Sequence, residues 1–235
     1  MQGVILASGE GVRLRPYTKV IPKPLLTVSG IPLLTFHIDL LNSLGIPNEK
    51  IIVVVSYLKE EIIGYVKRFH KGVKIVEQIN KKGTAAALES AENFIKEDFI
   101  VTYADTIFED DLKEFAKEEN AIAVYEVEDV SRFGKIVEEN GYLKDIKEKS
   151  EKGKGYIFAG IIKTKKEFLE EVRKVKENEK SKEYYLTDAI ISFNKKFPFK
   201  IYKLKGKWFD VGNEESLMNV RIYIKKNRKE NGVII

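Results

Sequence analysis

A glycine-rich loop near the amino terminus carries residue types suited to binding phosphate. Residues 8–13 read SGEGVR and follow a short apolar run at residues 3–7. Glycines let backbone N–H groups approach phosphate oxygens without an intervening Cβ, and the Arg13 guanidinium adds a forked, permanent positive charge. Further along, a proline on each side of Lys23 stiffens the backbone that presents its ammonium group. These residue types and their spacing indicate an anion site.

Two common phosphate-binding loops do not fit this segment. A dinucleotide-binding fingerprint would need a third glycine where Leu14 stands. A Walker loop would need Ser or Thr after Gly-Lys, whereas the Gly-Lys pairs of this chain are followed by Ile, Gly and Trp. The loop therefore belongs to neither class.

Alternating apolar runs and helical patterns provide the elements that must position these groups. Apolar runs predict strands that are buried on both faces, hence parallel, at residues 3–7, 51–56, 73–77 and 99–103. Apolar spacing predicts helices at 32–44 and 84–95. The fourth run leads into Asp105, so this carboxylate should lie at the carboxyl end of a strand.

After residue 120 the pattern becomes typical of a mixed sheet. Asn140-Gly141 is a strong hairpin-turn signal. Further strands are predicted at 121–127, 135–137, 157–162, 200–204 and 208–211. Helices are predicted at 165–175, 186–196 and 214–226. No linker or internal repeat is visible, so residues 1–235 are expected to form a single domain.

Composition excludes several function classes. The chain has no Cys and only two His, which excludes thiolate chemistry and a multi-histidine metal site, so any metal would be bound mostly by oxygen. No signal sequence or long apolar stretch is present, which predicts a cytoplasmic protein without a membrane partner. The net charge is +5, but basic and acidic residues are interspersed along the chain, which argues against a nucleic-acid partner. Abundant Lys, Glu and Ile are typical of thermophile proteins.

Residues 6–26, LASGEGVRLRPYTKVIPKPLL, closely resemble the signature of the sugar-phosphate nucleotidylyltransferases. These enzymes couple a nucleoside triphosphate to a sugar 1-phosphate. The resemblance implies an α/β, three-layer Rossmann-like nucleotidyltransferase (GT-A type) fold with a central mixed, mostly parallel sheet. It makes Arg13 and Lys23 catalytic, and it assigns nucleotide binding to Leu6, Ala7, Ser8, Gly9 and Gly11. Family members more often have Gly at the position of Ser8.

The resemblance continues along the chain. Gln78, Gly83 and Thr84 match the segment that reads the base, where a Gln amide pairs with the edge of uracil or thymine. Asp105 and Asp210 match the two acidic residues that hold a metal. Two carboxylates at strand ends suit Mg²⁺, the cofactor that the resemblance implies.

The sugar side matches less closely. By resemblance, the residues expected to bind the sugar phosphate are Gly134, Glu148, Lys149, Phe158 and Gly160. Ser150 replaces the usual Pro after Glu-Lys, Phe158 stands where many members have Asn, and Tyr185 replaces a common Glu. These departures affect the expected sugar and not the reaction class.

The resemblance predicts transfer of a nucleotidyl group from UTP or dTTP to glucose 1-phosphate, with a nucleoside triphosphate and a sugar 1-phosphate as partners. Mannose-1-phosphate guanylyltransferase is the main alternative, because guanylyl-specific members share the opening motif. A non-catalytic nucleotide-sugar-binding protein is a second alternative. A glycosyltransferase is a third, although Asp105-Thr106-Ile107 lacks the second Asp of its usual metal motif. No hexapeptide repeat follows the last helix, so the chain is expected to be the short form. Whether it forms a homo-oligomer stays open.

Overall fold

The computed structural model describes residues 1–79, 82–147 and 152–231, the last four of these without their side chains. In the described residues the strands are β1 (Gln2–Leu6), β2 (Thr27–Val28), β3 (Ile31–Pro32), β4 (Ile51–Val55), β5 (Lys74–Glu77), β6 (Phe99–Tyr103), β7 (Thr106–Phe108), β8 (Ala121–Val127), β9 (Lys135–Glu139), β10 (Tyr142–Lys147), β11 (Gly155–Thr164), β12 (Lys200–Lys203) and β13 (Trp208–Asp210). The α-helices are α1 (Leu33–Ser43), α2 (Lys59–Phe69), α3 (Thr84–Ser90), α4 (Lys113–Lys117), α5 (Phe168–Val172), α6 (Leu186–Asn194) and α7 (Glu214–Asn231).

Nine of these strands form one mixed sheet in the order β5-β4-β1-β6-β11-β8-β12-β10-β9. The first four strands in that order are parallel, as their apolar runs predicted, and every residue of β1 and β4 is buried. Strand β5 lies at the edge of the sheet and only its Val76 is buried, so the prediction that this strand is buried on both faces was wrong. Leu6 pairs with Tyr103, so β1 and β6 end side by side. This register brings the glycine-rich loop and Asp105 to the same edge of the sheet.

The other half of the sheet is antiparallel around β11 and β10, which run against the remaining strands. Asn140 and Gly141 both have positive φ, 52° and 83°, and form the turn between β9 and β10, as predicted. The mixed architecture predicted for this half is confirmed. Two short two-stranded pairs, β2 with β3 and β7 with β13, stand apart from the main sheet.

Three predicted helices differ in length from the observed ones. Helix α3 ends at Ser90, and Glu92–Phe94 forms a tighter 3₁₀ turn, so the prediction of one helix through residue 95 was wrong. Helix α5 is regular only over Phe168–Val172, because i→i+3 hydrogen bonds tighten the chain at both of its ends. Helix α7 extends to Asn231, beyond the predicted end.

The core lies on both faces of the large sheet, with a third cluster beneath the β7–β13 pair. Helix α7 reaches this third cluster through Leu217, Val220 and Ile224, which are at most 1% exposed. Their spacing of three and four residues is that of one helix face. Along the part of the chain that the structure describes, no helix combines the length and apolarity needed to cross a membrane.

Candidate active site

A cleft of about 500 Å³ opens at the carboxyl ends of β1 and β6. Crevices at this edge of an open α/β sheet are the usual ligand sites of such folds. The lining brings together all eight residues that were predicted to bind the nucleotide, namely Leu6, Ala7, Ser8, Gly9, Gly11, Gln78, Gly83 and Thr84. Arg13, Lys23 and Asp105 line the same cleft.

The phosphate loop, residues 8–13, closes back on the segment that carries Lys23. Gly11 has a left-handed backbone with φ of 64°, and a Cβ there would lie 2.9 Å from Thr18 Cγ2 and 3.1 Å from Lys23 Cβ. The Thr18 hydroxyl donates a hydrogen bond of 2.8 Å to the Gly11 carbonyl. By contrast, a Cβ on Gly9 would meet no atom within 4 Å. Gly11 is therefore needed for packing, whereas Gly9 leaves its backbone open to the cleft.

Lys23 and Asp105 form an ion pair on the floor of the cleft. The Lys23 Nζ lies 2.7 Å from Asp105 Oδ2, and the Lys23 side chain is 10% exposed. Burial opposes ionisation of Asp105, but several interactions, of which the charge and the hydrogen bond of Lys23 are the largest, outweigh burial and hold the pKa of this carboxyl below its usual value. Asp105 is therefore an anion at neutral pH.

Asp210 reaches the same place from a different element. Strand β13 pairs with β7, which sets Asp210 opposite Thr106, and the Val211 amide donates a 2.8 Å hydrogen bond to the Asp105 carbonyl. A Cβ on Gly212 would lie 2.7 Å from Asp210 Oδ2 and 3.2 Å from Arg13 Nη2. Arg13 and the two carboxylates thus converge.

The electrostatics of Asp210 reflect this convergence. The pKa of Asp210 is raised overall, first by burial and then by the charge of Asp105. The charges of Lys23, Arg13 and Arg132 lower it but do not outweigh these two effects. Among the residues that the structure describes, no group of three or more His, Asp or Glu could hold a metal. Two carboxylates with hard oxygen donors do fit Mg²⁺, which commonly binds one or two carboxylates together with substrate phosphates.

The base-side wall is built around Gln78 and Gly83. The Gln78 backbone N–H donates to Val55 O at 2.8 Å, and its side-chain Nε2 donates to Gly83 O at 3.2 Å. At 8% exposure, Gln78 is part of the cleft wall rather than the surface residue that composition alone would indicate. Thr84 Oγ1 accepts a 2.9 Å hydrogen bond from the Leu186 N–H, which ties this wall to helix α6.

Two of the predicted sugar residues, Phe158 and Gly160, pack against a residue of the cleft lining without lining the cleft themselves. The Phe158 ring meets the Tyr103 ring edge-on at 5.5 Å between centroids, and a Cβ on Gly160 would lie 3.4 Å from Tyr103 Cβ. Tyr103 itself lines the cleft. Gly134 directly precedes β9, whose Lys135 pairs with Ile157. The predictions for Glu148 and Lys149 lie outside the described residues.

Sequence reasoning missed several residues that line the cleft, namely Glu10, Lys82, Tyr103, Glu183 and Gly212. Tyr103 ends the strand that leads to Asp105, so its position could have been found from the strand pattern. The Glu10 carboxylate lies 3.6 Å from both Arg15 and Lys82. No sequence signal indicates this relationship, because Glu10 and Lys82 are brought together only by the fold.

The parallel strands, the glycine-rich loop and the cleft at their carboxyl ends together define a Rossmann-like nucleotidyltransferase architecture. A family model described as nucleotidyl transferase matches residues 2–227. The chain belongs to this nucleotidyl transferase family.

Relatives and solved structures agree with this membership. The chain is 37% identical over 227 residues to the bifunctional protein GlmU of Methanocaldococcus jannaschii, covering 95% of this chain and 54% of the relative. It is 41% identical over 162 residues to the UTP–glucose-1-phosphate uridylyltransferase AglF of Haloferax volcanii, covering 64% of this chain and 66% of the relative. The chain spans about half the length of the GlmU relatives that it matches.

The fold resembles that of a Bacillus anthracis protein, provisionally named a glucose-1-phosphate thymidylyltransferase, whose crystal structure contains sucrose. The TM-score is 0.82 at 27% identity, and the match covers 95% of this chain and 94% of that one. The predicted α/β nucleotidyltransferase fold with a central mixed sheet is confirmed.

Proposed function

We propose that this chain forms one nucleotidylyltransferase domain that transfers a nucleotidyl group from a nucleoside triphosphate to a sugar 1-phosphate and releases pyrophosphate. The observation that carries the proposal is the single cleft in which the phosphate loop, Arg13, the Lys23–Asp105 pair and the Gln78–Gly83 wall meet. A triphosphate could lie along the loop while its base reaches Gln78. The remaining space next to Tyr103 would receive the sugar phosphate.

The proposed reaction is in-line attack of a sugar 1-phosphate oxygen on the α-phosphorus, with pyrophosphate as the leaving group. The attacking phosphate oxygen is already ionised at neutral pH, so no general base is needed. The protein's task is to align two anions and to offset their charge. Arg13 and Lys23 supply fixed positive charge for this purpose, and open backbone N–H groups near Gly9 would bind phosphate oxygens.

We propose Asp105 and Asp210 as the residues that would hold Mg²⁺. When bound, Mg²⁺ would neutralise charge on the phosphate oxygens. The two carboxylates interact electrostatically and offer the hard oxygen donors that Mg²⁺ prefers.

UTP or dTTP is the proposed nucleotide and glucose 1-phosphate the proposed sugar. The Gln78 amide carries both donor and acceptor atoms, which suits the imide edge of a pyrimidine. The name of the AglF relative joins UTP with glucose 1-phosphate, which supports this pair. Phe158, which stands where many family members have Asn, packs against Tyr103 beside the expected sugar region. Because this departure affects the expected sugar, the test also includes a substituted glucose.

A substrate grid tests the proposal. Pyrophosphate release would be measured with Mg²⁺ at elevated temperature, with UTP, dTTP, GTP, CTP and ATP crossed against the 1-phosphates of glucose, mannose, galactose and N-acetylglucosamine. Release with UTP or dTTP and a glucose-configured sugar supports the proposal. Release only with GTP and mannose 1-phosphate would keep the reaction and replace both substrates. No pyrophosphate release with any pair of substrates would favour a binding protein without activity.

A further inference from the structure

The ammonium group of Lys23 contacts the Asp105 carboxylate, which we propose as a metal ligand. Its ammonium nitrogen lies 2.7 Å from Asp105 Oδ2, and its side chain is 10% exposed against 39% for that of Asp105. The phosphate loop holds the aliphatic stem from the other side, because a Cβ on Gly11 would lie 3.1 Å from Lys23 Cβ and 3.4 Å from its Cδ. The ammonium group is therefore held in place by packing as well as by charge.

The backbone around Lys23 reinforces this position. Lys23 begins a 3₁₀ turn, Lys23–Leu25, that follows the extended residue Pro22 and contains Pro24. The Leu26 N–H donates to the Lys23 carbonyl at 3.1 Å, which closes the turn. Because both prolines restrict φ, the turn has few alternative shapes, and movement of the ammonium group must come from the side chain.

An ammonium group 2.7 Å from Asp105 Oδ2 opposes the binding of a divalent metal at the same carboxylate. Both are cations, and they compete for the negative charge of one carboxylate while repelling each other. A metal ligated by Asp105 is therefore bound most favourably after Lys23 leaves this oxygen. A triphosphate makes the exchange favourable, since its oxygens offer the ammonium group another anionic partner and offer a metal further ligands.

We propose that Lys23 keeps Asp105 closed to a divalent metal in the nucleotide-free protein and releases it when triphosphate oxygens take over the ammonium group. This inference rests on the proposed function for the identity of the triphosphate. It assigns Lys23 a second role, the control of when the metal site forms. Metal and nucleotide then bind with positive coupling, and the coupling is reciprocal.

The experiment measures Mn²⁺ binding to the whole chain by electron paramagnetic resonance, without nucleotide. Wild type is compared with Lys23→Met, which keeps the stem and removes the charge. The Lys23→Met variant is expected to bind Mn²⁺ more tightly than wild type by a factor on the order of ten. Adding Asp105→Asn to Lys23→Met should abolish the gain, because the freed carboxylate is then lost.

Lys67→Met is the matched control, since it removes the same charge from an exposed position on α2. It should bind Mn²⁺ as wild type does. The proposal is overturned if Lys23→Met gains no affinity, or if Lys67→Met gains as much. Far-UV circular dichroism checks folding, and Lys23→Gln replaces Lys23→Met if the latter does not fold.

A second measurement separates this inference from the proposed function. Calorimetry would give the affinity of a non-hydrolysable UTP analogue with and without Mn²⁺, and the enhancement by Mn²⁺ should be smaller in Lys23→Met than in wild type. If the analogue does not bind, the proposed nucleotide is wrong, while the nucleotide-free Mn²⁺ comparison still decides the role of Lys23. Equal enhancement in both proteins would contradict the coupling.

Discussion

The α-carbon of Gly83 lies directly against the backbone of Tyr184. A Cβ at Gly83 would lie 2.5 Å from the Tyr184 nitrogen and would collide with its carbonyl oxygen. The Tyr184 N–H donates to Lys82 O, and its carbonyl accepts from the Ala85 N–H, each at 2.9 Å. The base-side wall of the cleft is thus joined to the segment before α6 by contacts that only glycine permits.

Replacing Gly83 with Ala should separate these segments. Its φ of 102° with ψ of 169° is a conformation that side chains rarely adopt, with a cost of about 1–3 kcal/mol before the collision with Tyr184 is added. We expect nucleotide affinity, measured by calorimetry, to fall on the order of tenfold or more. Gly141→Ala is the control, because φ there is 83° but the space is open. Equal nucleotide affinity in the two variants would refute the explanation.

Arg13 and Arg15 offer a matched pair of arginines. Both arginines are exposed, but Arg13 lines the cleft close to Asp210, whereas Arg15 lies outside the lining and 3.6 Å from Glu10. Removing a positive charge that stabilises the reacting phosphates should reduce turnover on the order of a hundredfold or more in Arg13→Ala. Arg15→Ala should change turnover only slightly. The account is wrong about Arg13 if the folded variant turns over at the wild-type rate.

Gln78 should determine the preference between bases. Gln78→Leu keeps the volume and removes the amide, so the ratio of UTP to ATP affinity should fall on the order of tenfold or more. Gln2→Leu serves as the control, because Gln2 is also a buried glutamine, 9% exposed, but lies at the start of β1. A purely structural effect would weaken both nucleotides equally and leave the ratio unchanged.

His37 should make stability depend on pH. Burial lowers the pKa of His37 from 6.5 to about 4 in the folded protein, where its Nδ1 lies 2.8 Å from the Thr102 hydroxyl. Below pH 6.5 His37 takes up a proton in the unfolded chain, whereas in the folded protein it stays neutral down to about pH 4. The free energy of unfolding therefore falls as the pH is lowered through this range. The loss attributable to His37 is about 3 kcal/mol.

The comparison of wild type with His37→Gln isolates this contribution. Burial also lowers the pKa of His70, but that residue is present in both proteins and its effect cancels. Urea unfolding at pH 6.5 and pH 4 should show a smaller loss of stability in His37→Gln than in wild type. Identical losses would mean that His37 takes up its proton equally in the folded and unfolded states.

The first half of the fold could be predicted because β1, β4 and most of β6 are buried on both faces and therefore appear as continuous apolar runs. Strand β6 was predicted at its observed bounds, and this placed Asp105 just beyond the carboxyl end of the strand. Strand β7 has only three residues and pairs with β13 from the far end of the chain, so no local pattern shows that Asp210 lies close to Asp105. That assignment came from resemblance.

Side-chain pairing was the least predictable part of the site. The phosphate loop and Lys23 were identified from Gly and Pro spacing, but nothing in their spacing indicates that Lys23 binds Asp105, 82 positions away. The same holds for Gly83, whose need for glycine arises from the Tyr184 backbone rather than from its own loop. Local patterns identify residues with unusual or restricted backbone conformations, and the fold determines what those residues contact.

The central claim is tested most directly by following the label from α-³²P-UTP. With glucose 1-phosphate and Mg²⁺, the account predicts that wild type places the label in a nucleotide sugar, with one pyrophosphate released for each molecule formed. Asp105→Asn should form almost none while staying folded. Label that appears in UMP instead, or product formed by Asp105→Asn at the wild-type rate, would contradict the account.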